Sequence, residues 1–298
     1  AAAAAADPES AALALIAASE LDASLAGLAL SKAADTDAAA TGAMIVSAAK
    51  NNLAVMAQTI LLASAQNARA IGEALIQAAK TDISTVSDLF LESGRLDATE
   101  TGRILIEAGG TDPEVAGLII LESSKTDLSL ASTVVLEAAS VDPKATGAIF
   151  AAAAGVDPVT TASLIIQGGL VDPISIANAL AEAADSNSVN AGSAIAEASV
   201  QDGQTTGILL TNAINRNVNA IGSALGNASS DKPGPVAAAL ASGPAQNKQA
   251  LSMLGNVIPV EPWMPETAPV AGPAPSGDGV WQTVSSSQST EAILIRYN

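Results

Sequence analysis

The sequence predicts an all-α fold: an α-solenoid of about seventeen 15-residue single-helix repeats, stacked antiparallel in two layers and followed by an extended C-terminal tail. Three observations predict it. A 15-residue frame that begins at Ala6 continues to Val260 without an insertion. The second position of each unit is Asp or Asn in 16 of 17 units, and the seventh position is Gly, Ala or Ser in all 17. Regular spacing of helix-start residues and small residues is typical of stacked helical repeats.

The second position of each unit predicts the start of a helix. An Asp or Asn side chain there can accept a hydrogen bond from the first backbone N–H groups of a helix, and Pro follows it in several units, at the place where a helix tolerates Pro. Ala-rich stretches inside the units favour helix over a β-solenoid, and the recurrent caps argue against one continuous coiled coil. We expect a helix of about 11–12 residues and a turn of about three residues in each unit. The predicted structural caps include Asp112, Asp127, Asp142, Asp157 and Asp172.

The packing of these helices is predicted by two sets of positions. The sixth, tenth and thirteenth positions lie on one face, with the ninth and eleventh widening it, so Ala116 and Ile120 are expected in the core. A helix this short is unstable alone and must stack on its neighbours. The small residue at the seventh position, as in Gly102, Gly117 and Gly147, is expected to let helix backbones approach at the close end of the ~8–10 Å range.

The composition divides the chain into three parts. Residues 1–260 are predicted to form the solenoid, and within them residues 231–260 are two degenerate units expected to cap its end. Residues 261–279 are rich in Pro and predict a linker. Residues 280–298 contain two strand-like runs and predict a docking tail.

Aromatic residues single out the end of the chain. Trp263, Trp281 and Tyr297 are the only Trp and Tyr residues in the sequence, and aromatic side chains often anchor interfaces. We interpret them as partner-docking residues. Two hypotheses remain open: the tail covers the apolar end of the solenoid, or it docks on another subunit.

The charge and composition exclude several classes of function. The chain has no Cys and no His, so the usual ligands for zinc, haem and iron–sulfur clusters are missing, as are the commonest general bases and nucleophiles. The net charge of −18 opposes binding to nucleic acid. Glu recurs at the twelfth position and raises the hypothesis of a calcium-binding ladder, but a solvated face is the simpler interpretation. We expect no enzyme, no catalytic residue, no cofactor and no metal site.

These features predict a non-enzymatic structural or scaffold protein. It would be a peripheral stabilising or linker subunit of a larger assembly, contacting protein subunits through the solenoid surface and the aromatic tail. The alternatives are a peptide- or protein-binding solenoid module, an exported surface or matrix protein, and a lumenal extrinsic subunit of a membrane complex such as a photosynthetic one. No apolar run is long enough to span a bilayer, so we expect at most peripheral membrane association. Export or an organelle lumen, after removal of a leader, is the expected location.

Overall fold

The structure, a computed structural model, describes residues 1–243 and confirms an α-solenoid over them. The helices of this part of the chain are α1 (Ala2–Ala6), α2 (Pro8–Leu21), α3 (Ala23–Thr36), α4 (Ala38–Asn51), α5 (Leu53–Thr81), α6 (Ile83–Leu96), α7 (Ala98–Thr111), α8 (Pro113–Thr126), α9 (Leu128–Val141), α10 (Pro143–Val156), α11 (Pro158–Val171), α12 (Pro173–Ser186), α13 (Ser188–Gln201), α14 (Gly203–Arg216), α15 (Val218–Asp231) and α16 (Pro233–Ser242).

A single residue separates one helix from the next, as Asp112 illustrates. Its backbone is extended (φ −153°, ψ 90°), yet its N–H donates to the carbonyl of Ala108 at 2.8 Å. Its own carbonyl accepts from the N–H of Ala116 at 3.0 Å. The cap residue therefore belongs to the hydrogen-bond ladders of both helices, and no further residues are needed for a turn.

The predicted helix length of 11–12 residues and turn of three residues are therefore wrong. Helices such as α7, α8 and α9 contain 14 residues each, joined by one-residue breaks. Helix α5 consists of two such helices, because Asn67 inside it has the same extended backbone (φ −156°, ψ 86°).

The helices pack in a regular order along the chain. The most extensive contacts join each helix to the one two units further on, and smaller contacts join it to the next helix and to the third. Within residues 1–243, no helix packs extensively against one more than three units away. Alternate helices thus form two rows, and the described chain is an open stack in which every unit depends on its near neighbours.

In the middle of the stack, the buried stripe of a helix contains the predicted positions and is wider than predicted. In α8, Ala116 and Ile120 are fully buried, and the buried set also includes Gly117 and Ser124 at the seventh and fourteenth positions. Phe150 is the largest of the fully buried side chains. Small and aliphatic side chains fill the core, because the close approach of the helices leaves little room for aromatic rings.

The C-terminal part of the predicted architecture lies outside the described residues. This applies to residues 244–260, the Pro-rich residues 261–279 and the tail 280–298, and therefore to Trp263, Trp281 and Tyr297. In the first degenerate unit, α16 has only 10 residues, and Lys232 at its cap position makes no capping hydrogen bond.

Candidate interaction surface

The five Asp residues predicted as caps lie at helix N-termini in the structure. Each carboxylate accepts a hydrogen bond from a backbone N–H three residues further on: Asp112 from Val115, Asp127 from Leu130, Asp142 from Ala145, Asp157 from Thr160 and Asp172 from Ser175, at 3.0–3.2 Å. A carboxylate in this position satisfies an otherwise unpaired N–H and interacts favourably with the helix dipole. These acids are engaged by their own helices and do not converge on a common site.

Hydrogen bonding lowers the pKa of several cap carboxylates. The ammonium of Lys50, at 2.8 Å, and the N–H of Thr85 lower the pKa of Asp82 to about 2. Hydrogen bonds from the backbone and side chain of Thr160 lower the pKa of Asp157. These caps are therefore ionised at neutral pH, and the charged form stabilises the helices.

The three glycines predicted at close helix contacts lie where a larger side chain would collide with a neighbouring helix. A Cβ on Gly102 would lie 2.9 Å from the backbone nitrogen of Ala138, and one on Gly117 would lie 3.0 Å from that of Ala153. On Gly147, a Cβ would lie 2.7 Å from the carbonyl oxygen of Ala179. The distances at Gly102 and Gly147 are shorter than real Cβ atoms show, so a side chain there would force the helices apart, whereas at Gly117 the contact is tight and a small shift of the neighbouring helix would be enough.

A row of polar pairs, which the sequence pattern did not reveal, joins the end of one helix to the cap of another helix three units further on. Lys50 pairs with the cap Asp82 at 2.8 Å, and Lys80 pairs with the cap Asp112 at 2.9 Å. The first member of each pair is at position 15 of its unit, and we call these contacts the junction pairs. A helix junction is the one-residue break between two helices, named by its cap residue. Each junction pair joins two junctions that are two units apart, as Lys80 beside the Asp82 junction pairs with Asp112. The junctions therefore fall into two alternating series.

The sign of the charge at position 15 follows the identity of the cap that it faces. Lys50 and Lys80 face Asp caps, whereas the carboxylate of Asp35 accepts from the side-chain amide of Asn67, and that of Asp185 accepts from Asn217, both at 3.3 Å. An Asn cap accepts from its helix through the oxygen and still offers an N–H₂ group to an acid. This matching of Lys with Asp and of Asp with Asn is readable in the sequence once the spacing of the junction pairs is known.

One half-buried polar cluster joins the fourth unit to the seventh. Arg103 donates to the carboxylate of Glu100 at 2.5 Å and to the backbone carbonyl of Ser64 at 2.8 Å. The hydroxyl of Ser64 donates to the same carboxylate, and Glu100 raises the pKa of Arg103. Because Glu100 is held by a guanidinium, it is a poor base for activating a serine. The cluster is best explained as a structural link between helices.

The acidic residues at the twelfth position are half-buried, and most of them have separate partners. Glu137 accepts from the hydroxyl of Thr99 at 2.9 Å, and Glu182 pairs with Arg216 at 3.4 Å. Within residues 1–243, no three acidic side chains converge in the way that a metal ion requires.

An apolar groove of about 540 Å³ opens along α8, between the end of α5 on one side and the start of α11 on the other. Leu118, Leu121 and Val156 contribute to its apolar wall, and Lys80 and Lys125 lie at its rim. Its volume is within the range of small-ligand and peptide-binding clefts.

A second surface feature consists of exposed aliphatic side chains at three neighbouring helix junctions. These junctions are capped by Asp142, Asp172 and Asp202, which belong to one of the two series. We call their side chains the aliphatic row; they are, with the exposed fraction of each, Val141 62%, Leu170 62%, Val171 72%, Ile174 62% and Val200 54%. Earlier junctions of the same series carry the ion pairs Lys50–Asp82 and Lys80–Asp112 instead. Among the described residues, no Lys or Arg pairs with the three caps of the aliphatic row.

Comparison with known proteins gives no relative: no family model, no curated protein and no solved structure matches the chain. Of the helices in residues 1–243, none combines the length and the apolar character needed to cross a membrane.

Proposed function

We propose that the protein is a non-enzymatic scaffold or linker subunit of a larger protein assembly. The observation that carries the proposal is the open stack of residues 1–243, in which each helix packs only on its near neighbours. Such a stack offers a long surface whose area grows with the number of units, while its rigidity comes from packing between units. Caps, close-packed glycines and the junction pairs all strengthen the stack, and none of them converges on a reaction centre.

Gentle extraction from the source tests this proposal. The scaffold predicts that the protein migrates with a large complex on sedimentation and on a native gel, and that its partners dissociate together with it when salt is raised. A free monomer at every stage of the extraction would contradict it.

A second candidate function is supported by the groove along α8. A solenoid that binds a peptide as a regulated ligand would use an apolar cleft with charged residues at its rim, and the groove combines Leu118 and Val156 with Lys80 and Lys125. Replacement of Leu118 by Asp would then abolish peptide binding. The same change would leave a scaffold in its complex, because it affects one place on a long surface.

A further inference from the structure

Other junctions also carry exposed aliphatic side chains, such as Leu21 and Val156, but the aliphatic row is a run over three successive junctions of one series. At the earlier junctions of this series, position 15 carries Lys50 and Lys80, and each lysine forms a junction pair with an Asp cap. At the later junctions the same position carries Leu170 and Val200. A run of exposed aliphatic side chains, unlike scattered single ones, is typical of a surface that another element covers.

The centre of the row, at the junction capped by Asp172, lies in a weakly charged part of the solenoid. Between residues 145 and 181 the only charged residues are Asp157 and Asp172. Both are caps whose carboxylates are bonded to the start of their own helices. In this stretch, an apolar segment that covers Leu170, Val171 and Ile174 therefore has no lysine and no free carboxylate to remove from water, whereas Lys144 lies three residues beyond Val141.

The described part of the chain ends beside this row. The hydroxyl of Ser242 donates to the carbonyl of Gly203 at 2.8 Å, and Gly203 directly follows the cap Asp202. Val200, the last member of the row, lies two residues before this cap. Residue 243 is thus next to one end of the row, and the sequence continues from there to Asn298.

The length of the following chain allows its last part to reach every junction of the row. Residues 244–279 can span at most about 120 Å at ~3.3 Å per residue. The three junctions extend over roughly 20 Å, since packed helices are ~8–10 Å apart. A segment on the same chain also has a high effective concentration at the row, so modest contacts are sufficient to hold it there.

We infer that the aliphatic row is the docking site for residues 280–298 of the same chain. This segment contains Trp281, Tyr297 and the aliphatic run Ile293, Leu294 and Ile295, and its charges, Glu291 and Arg296, cancel. A second copy of the solenoid would approach the row with a net charge of −16, because 26 of the acidic and 10 of the basic residues lie in residues 1–243. Charge repulsion therefore favours the neutral segment over a second solenoid.

Tryptophan fluorescence tests this inference directly, because residues 1–243 contain no Trp. With Trp263→Phe in the full chain, Trp281 is the only tryptophan. We expect its emission to be shifted to the blue, and its quenching by acrylamide to be several-fold slower than in urea. Ile174→Asp and Val171→Asp should each restore fast quenching, while far-UV circular dichroism remains unchanged.

The matched control is Leu96→Asp. Leu96 is 54% exposed at a junction of the other series, so its replacement should leave the quenching of Trp281 as it was. The inference is wrong if Trp281 in the folded chain is quenched as fast as in urea, or if Leu96→Asp has the same effect as Val171→Asp. It is also wrong if sedimentation shows a dimer and if Trp281 loses its protection from acrylamide when dilution dissociates that dimer. The segment would then dock on a second copy of the chain. None of these outcomes depends on whether the protein is a scaffold, because the experiment uses the purified chain alone.

Discussion

Replacement of Gly147 by Ala should destabilise the protein, although Ala is normally the better helix former. The structure places the new Cβ 2.6 Å from the Cβ of Glu182, 2.7 Å from the carbonyl oxygen of Ala179 and 2.7 Å from the backbone nitrogen of Ala183. Two of these three atoms belong to the backbone, so the helices must move apart. Overpacking of this kind costs about 1–3 kcal/mol. Because two of the clashes are with backbone atoms, we expect a cost in the upper half of this range; the gain in helix propensity is about 1 kcal/mol, so the net loss should be about 1–2 kcal/mol.

Gly226 provides the matched control, because a Cβ there would meet nothing within 4 Å. Gly226→Ala should stabilise by about 0.5–1 kcal/mol, since it only reduces the freedom of the unfolded chain and favours helix. Gly117→Ala should have an intermediate effect, because its nearest contacts are 3.0–3.3 Å away. Gly147→Leu should be worse than Gly147→Ala.

Urea unfolding followed by far-UV circular dichroism measures these differences. Repeat arrays can lose two-state cooperativity, so midpoints are compared only among variants with the same slope as the parent. We expect Gly147→Ala and Gly226→Ala to shift the free energy of unfolding in opposite directions, with a total difference of about 2 kcal/mol. If Gly147→Ala were as stabilising as Gly226→Ala, close packing at the seventh position would be refuted.

Three further predictions concern the caps. Asp157→Ala should lower the free energy of unfolding in urea by about 1 kcal/mol, because the N–H of Thr160 loses its acceptor. Asp157→Asn should lower it much less, and equal losses for the two variants would contradict capping. The pKa of Asp82 is depressed to about 2, so its stabilising contribution is present above the ordinary pKa of 3.8 and is lost as pH falls towards 2. The melting temperature should fall over this range, and a rise would mean that relief of the negative net charge dominates. Finally, Lys80→Asp should destabilise the protein, because it places an acid beside Asp112, and the second change Asp112→Asn should restore stability. A double-mutant cycle detects this rescue as a favourable coupling between the two positions, and additive effects would contradict the junction pair.

The local features of the fold could be predicted from the sequence, because each is determined within one unit. Asp112 and its equivalents identify the helix starts through their side-chain chemistry, and Gly147 identifies a close contact through its size. The length of the turn could not be predicted in this way. The cap residue takes part in the backbone ladders of both helices, and this is a property of its φ and ψ that composition does not reveal.

Features that involve three units required the structure. The pairing of Lys50 with Asp82 depends on the approach of one helix end to the cap of the helix three units on, and nothing within a single unit indicates that spacing. The same holds for the aliphatic row, since Val171 and Val200 are 29 residues apart in the sequence and fall at successive junctions only when the junctions are arranged in two series. In the sequence, a lysine at position 15 looks like an ordinary basic residue near a helix C-terminus. In the structure, Lys50 and Lys80 instead pair with the caps of other helices.

The central claim is that the long surface of the solenoid contacts partner subunits at many places. Cross-linking mass spectrometry on the native assembly tests it most directly, because lysines occur along the described stack at Lys32, Lys80, Lys125 and Lys144. A scaffold predicts cross-links to partner subunits from lysines on well-separated units, including Lys32 and Lys144. Cross-links restricted to Lys80 and Lys125, at the rim of the groove, would instead indicate a peptide-binding module and would contradict the scaffold.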